Sequence, residues 1–108
     1  MNSSGFVRGL FSKNAESDVF IQTVVNTIKQ QLAIWDEDAY VELIEREESY
    51  TIKCSFDNQA YELVVSKLKV KQLQAKSPYS LDEYIWTHLQ ERGLVVRFSR
   101  GDYLQKIL

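Results

Sequence analysis

From Ser17 to Trp35 the apolar positions Ile21, Val25, Ile28, Leu32 and Trp35 recur at helical spacing, with Gln22, Asn26, Lys29, Gln30 and Gln31 between them. That period, held over this length, predicts an amphipathic helix. Its first half is rich in β-branched residues (Val19, Ile21, Thr23, Val24, Val25, Thr27, Ile28), which lowers helix propensity. Length and the polar intervals nevertheless decide for helix. Asp36, Glu37 and Asp38 then break the period, and acids at the negative end of a helix dipole place the stop near Trp35 or Asp36.

Beyond the stop the period becomes two. Ala39 to Glu47 alternates with Val41 and Leu43 on one face and Tyr40 and Ile44 on the other. Ser49 to Phe56 puts Tyr50, Ile52, Cys54 and Phe56 on one face and Thr51, Lys53 and Ser55 on the opposite one. Both stretches predict strands. Asp57-Asn58-Gln59 is a polar hairpin turn without the favoured Asn-Gly pair. Ala60 to Ser66 pairs back, with Tyr61, Leu63 and Val65 on the side of the preceding apolar set.

Lys67-Leu68-Lys69-Val70-Lys71 also alternates, but with its apolar parity switched relative to Leu63 and Val65. A strand running straight through would swing the lysines into the core. The expectation is a strand that bulges or bends near Ser66, with a helix from Ser66 to Ala75 as the alternative.

Ser77-Pro78 ends that segment. Ser80 and Glu83 have the spacing of a capping box, flanked by Tyr79 and Tyr84 as a hydrophobic staple. A helix beginning at Leu81 is predicted, with Leu81, Ile85 and Leu89 as its buried stripe and Gly93 as its C-terminal stop. Leu94 to Phe98 reads as a short strand, Ser99 to Asp102 as a turn, and Tyr103 to Leu108 as a last helical turn with Leu104, Ile107 and Leu108 apolar.

The predicted class is α+β: an N-terminal helix, a three-stranded antiparallel meander, a second helix and a short last strand, with the helices packed on one face of the sheet. Residues 1–15, rich in Ser, Asn and Gly, read as a flexible segment before a single domain over residues 16–108. Phe6, Leu10 and Phe11 offer the alternative of a docked turn. With 108 residues, 44% hydrophobic and 26% charged, the chain has the make-up of one ordinary globular domain.

A net charge of −2 conceals an uneven distribution along the chain. Residues 36–48 hold seven acids against Arg46, a local sum of −6, and residues 49–78 hold five lysines against Asp57 and Glu62, a local sum of +3. Opposite-sign pairs across adjacent strands would cancel the two blocks. A lone cysteine, Cys54, cannot close an internal disulfide and suits a reducing compartment, the cytoplasm. Neither an export signal nor an apolar run long enough for a membrane span is visible.

Candidate chemistry is sparse. One His and one Cys, without a paired-ligand motif, do not make a zinc site, and Asp36, Asp38 and Glu42 lack the spacing of a calcium loop. No cofactor or metal is expected. Cys54 sits in register with apolar residues, which predicts an inert buried thiol. His88 lies on a helix flank, and Asp82 and Glu83 suit a helix N-terminus. Arg100-Gly101-Asp102 spells an adhesion tripeptide, for which a turn is sufficient explanation.

Attention therefore moves to surfaces. Lys67, Lys69 and Lys71 form a comb that can meet phosphates or protect a sheet edge. Trp86 points off the Leu81–Ile85–Leu89 stripe. With Tyr79 and Tyr103 it makes an exposed aromatic patch of interface type, unless the helix is covered on two sides and Trp86 is core. The resulting expectation is a non-catalytic binding or regulatory protein working through protein contacts, as a homodimer joined at a helix flank or sheet edge. The alternative is a nucleic-acid-associated factor using the lysines, and a small-molecule carrier ranks third.

Overall fold

A computed structural model describes residues 16–97 and 103–108. The readings made on residues 1–15, the Arg100-Gly101-Asp102 tripeptide and the end of the proposed Leu94–Phe98 strand lie outside the described residues. Helix α1 (Ser17–Trp35) leads into strands β1 (Tyr40–Glu45), β2 (Ser49–Phe56) and β3 (Gln59–Ser66), followed by helices α2 (Lys67–Lys76), α3 (Ser80–Glu91) and α4 (Tyr103–Ile107). The sheet is antiparallel in the order β1-β2-β3, as the alternation predicts for a meander.

Strand alternation carries the architecture. Val41, Cys54 and Tyr61 lie in one cross-strand row and Leu43, Ile52 and Leu63 in the next, all on the side that the helices cover. There they meet Phe20, Ile21, Val24, Val25, Ile28 and Leu32 of α1 and Leu81, Ile85 and Leu89 of α3 in one buried cluster. Each fully buried side chain of this kind contributes roughly 1.5–3 kcal/mol. On the opposite face Glu42, Lys53 and Glu62 form a row of alternating sign across the three strands, in which the acidic block meets the basic one at Glu42 and Lys53. Thr51, flanked in register by Ile44 and Val64, is the buried member of that outer face.

Two hairpin turns set the register. Asp57 and Asn58 take positive φ of 52° and 62°, the two left-handed positions of a two-residue turn whose twist matches the strands. Asp and Asn tolerate that conformation better than other non-glycine residues, so the missing Asn-Gly pair is not needed. Glu47 and Glu48 make the other turn, closed by Arg46 N–H donating to Ser49 O at 2.8 Å.

Lys67–Lys76 is a helix, which corrects the expectation of a bent lysine strand. Ser66 ends β3 in extended geometry and caps α2, its hydroxyl accepting from Lys69 N–H at 3.0 Å. Val70 and Leu73, three apart, are buried while Leu68 is 66% exposed, a helical pattern that the period-two run of lysines hides. The parity switch marks the change from strand to helix, and no bulge is required.

Three further details depart from expectation. Helix α3 starts at Ser80 with Tyr79 as its cap residue and no side-chain cap. Ser80 Oγ lies 2.5 Å from Ser77 Oγ, so the turn at Ser77-Pro78 takes the hydroxyl that the capping box would use. Residues 94–97 form no strand. Leu94 is buried and its N–H donates to Leu89 O, while Gly93, at φ 102°, donates to Gln90 O. This pair of bonds closes α3 as the glycine predicted.

Candidate functional site

Trp86 is fully buried, which corrects the exposed-patch reading and selects the core one. Trp35, at the end of α1, meets it edge-on with ring centroids 5.9 Å apart, and Tyr103 does so at 6.5 Å. The indole N–H donates to Tyr103 Oη at 3.1 Å, and that hydroxyl donates to Asp82 Oδ2 at 2.6 Å. Asp82 is itself wholly buried at the third position of α3, where the helix dipole favours its charge. Sequence reasoning kept Asp82 at the helix start but missed this network. The signal available was the four-residue spacing of Asp82 and Trp86, which puts both on one side of α3. Tyr79 is half-buried, with the Lys106 ammonium 5.9 Å from its ring centre.

The three lysines do not make a comb. On a helix, Lys67 and Lys71 share a side, and Lys69 sits roughly 200° around from Lys67. Lys67 Nζ binds Glu45 Oε2 at 2.7 Å, and that bond holds its pKa above the usual lysine value. Lys69 Nζ stands 5.7 Å from the ring centre of Tyr84, and Lys71 is exposed.

Cys54 is 3% exposed, and burial pushes its thiol up to about 11, as its register in β2 predicted. The His88 ring lies tilted against Tyr84 with centroids 4.4 Å apart, and its Nδ1 is 3.3 Å from Glu91 Oε1 and 3.4 Å from Arg92 Nη1. Cys54 thus belongs to the sheet interior, and His88 to a half-buried helix flank among its own neighbours. Among the described residues no three His, Cys, Asp or Glu side chains converge as metal ligands, and no helix is long and apolar enough to cross a membrane.

The feature that sequence reading left unassigned is the free edge of β1. Antiparallel ladders alternate, each residue turning its N–H and C=O toward one neighbour or away from it. The Arg46–Ser49 bond that closes the hairpin sets the phase, so Ile44, Glu42 and Tyr40 bond to β2. Val41, Leu43 and Glu45 then aim their backbone groups outward, and no strand among the described residues pairs with them.

A groove of ≈ 440 Å³ runs beside this edge. Asp18, Val19, Gln22 and Thr23 of α1 form one wall, and Leu43, Glu45 and Tyr50 form the other. Burial raises the pKa of the Tyr50 phenol, and the Glu45 carboxylate adds to the effect. An adjoining cavity of ≈ 450 Å³ extends past Asp18 and Glu45 to Glu16 and Lys71.

No family model matches this chain, and neither a curated protein nor a solved structure matches it.

Proposed function

We propose that the protein works by binding another polypeptide through its sheet and performs no catalysis. The observation that carries this reading is the open hydrogen-bonding edge of β1, which offers three residues' worth of backbone donors and acceptors. An unpaired edge is a ready template for a further strand. The setting of the candidate chemical groups points the same way. Cys54 is a buried thiol with a raised pKa, and His88 turns its Nδ1 to Glu91 and Arg92 of its own helix end. A regulatory role through such contacts, pairing with a second copy included, falls within the reading. A reducing compartment such as the cytoplasm suits the lone buried cysteine.

Nucleic-acid binding is the second reading, and the weaker one, because the lysines point to two sides of α2 and Lys67 is tied to Glu45.

The test is photo-crosslinking in the cells that make the protein. A benzophenone side chain placed at Tyr40, which is 52% exposed on β1, should yield a protein adduct, and one placed at Glu91 on the surface of α3 should not. Adduct mass distinguishes a second copy from a different chain. Equal labelling from both positions, or none, removes the reading.

A further inference from the structure

Resting on that reading, we infer that the groove between α1 and the β1 edge accepts an extended basic peptide, which adds to the sheet as a fourth strand beside β1.

The backbone supplies the first half of the argument. Val41, Leu43 and Glu45 turn their N–H and C=O groups away from β2, at the two-residue interval at which an incoming strand presents its own. Their side chains point to the helix-covered side of the sheet, where Leu43 and Glu45 form part of the groove wall. An added strand therefore bonds to β1 and drops every second side chain between β1 and α1. The groove volume of ≈ 440 Å³ falls within the roughly 300–1,000 Å³ of ordinary binding clefts.

Charge supplies the second half. Glu16, Asp18 and Glu45 line this groove and its extension, against Lys71 and the Lys67 that pairs with Glu45. Glu45 is already neutralised by Lys67 at 2.7 Å, whereas among the described residues the Asp18 carboxylate accepts only from the neighbouring Val19 N–H, at 2.9 Å. Val19, 48% exposed, gives that wall an apolar floor. An Arg or Lys side chain fits such a site with its stem along Val19 and Leu43 and its head toward Asp18 and Glu16. On the opposite face the added strand runs past Ile44, so the alternate positions suit β-branched residues.

The probe is a capped octapeptide of alternating Val and Arg, titrated into the isotopically labelled full chain and followed by amide NMR. Expected are shifts concentrated at residues 41–45 and 18–23, and an affinity that falls at least threefold between low and physiological salt. Asp18→Asn should weaken binding about threefold to tenfold, in the range of one charge-assisted contact. N-methylation of the peptide at alternate residues, in both phases, should cost more than tenfold in the phase that faces β1 and little in the other. This last comparison leaves the protein unaltered. Equal binding of a Val-Glu octapeptide, equal binding of both N-methyl phases, shifts centred elsewhere, or no shift at millimolar peptide would each overturn the inference. A crosslink from Tyr40 together with a failed peptide titration removes the basic strand while leaving a protein partner in place. Failure of both removes the reading beneath it.

Discussion

Tyr103 ties the last described helix to α3 by donating its hydroxyl to the buried carboxylate of Asp82 at 2.6 Å. The same oxygen accepts from Trp86 Nε1 at 3.1 Å, so one phenol serves a carboxylate and an indole at once. Buried polar networks of this kind are costly when only part of the network is satisfied. Tyr103→Phe should lower the unfolding free energy by about 2 kcal/mol, the range for a hydrogen bond to a charged group, and urea denaturation with an unchanged m-value would show it. A loss below about 0.5 kcal/mol would mean that α4 contributes little through this contact.

Ser66 holds the junction at which strand becomes helix. Its hydroxyl satisfies the Lys69 amide at 3.0 Å, so Ser66→Ala should cost about 1 kcal/mol and Ser66→Asp close to nothing. Chemical denaturation of the three proteins checks the order. Equal stability of the alanine and aspartate variants would argue against a capping role.

Cys54 should be silent toward thiol reagents while the protein is folded. With its pKa pushed up to about 11 by burial, almost no thiolate exists at pH 8 and the sulfur is shielded from solvent. An aromatic disulfide reagent should label less than roughly one-twentieth of the native protein in the time that fully labels it in guanidinium. The sign for stability follows, since the fold favours the neutral thiol. The contribution is complete below the ordinary thiol pKa of 9.0 and is lost as pH rises toward about 11. Cys54→Ala should remove that alkaline component of the stability profile.

Asp36 should make the fold sensitive to acid. The Asp57 and Asp38 backbone N–H groups donate to its carboxylate at 3.0 Å each, and Arg97 adds a favourable charge, so its pKa lies below the ordinary aspartate value. A depressed carboxylate pKa gives stability that is present above the unfolded value and lost as pH falls through the folded one. Asp36→Asn should therefore narrow its stability gap from the native protein as pH drops below 4. A gap constant from pH 7 to pH 2 would show that the carboxylate charge is not what matters.

The sheet was legible because one of its faces packs. Tyr50, Ile52, Cys54 and Phe56 alternate without interruption, and only a half-buried strand requires that pattern. The Lys67–Lys71 run misled because alternation also arises when lysines happen to separate Leu68 from Val70. The helix is decided instead by Val70 and Leu73 together with the cap at Ser66. Trp86 was undecidable locally, since its cover comes from Trp35 on α1 and Tyr103 on α4, both distant in sequence. The capping box failed for a nearer reason, because Ser77 reaches the Ser80 hydroxyl first. The groove was not legible at all. An open edge follows from strand order and from which helix lies beside it, and neither is written in the period of any one segment.

Arg97 has a consequence for how the molecule opens. Its guanidinium donates to the Trp35 carbonyl at 2.9 Å, pairs with the Asp57 carboxylate and lies 5.2 Å from the ring centre of Phe56. Asp57 in turn donates its N–H to Asp36. The end of α1, the β2–β3 turn and the segment after α3 are thereby fastened at one corner, although they lie far apart in the chain. The amides of this corner are expected to open together, which hydrogen exchange would read as matched protection at Asp36, Asp38 and Asp57 that Arg97→Ala lowers at all three.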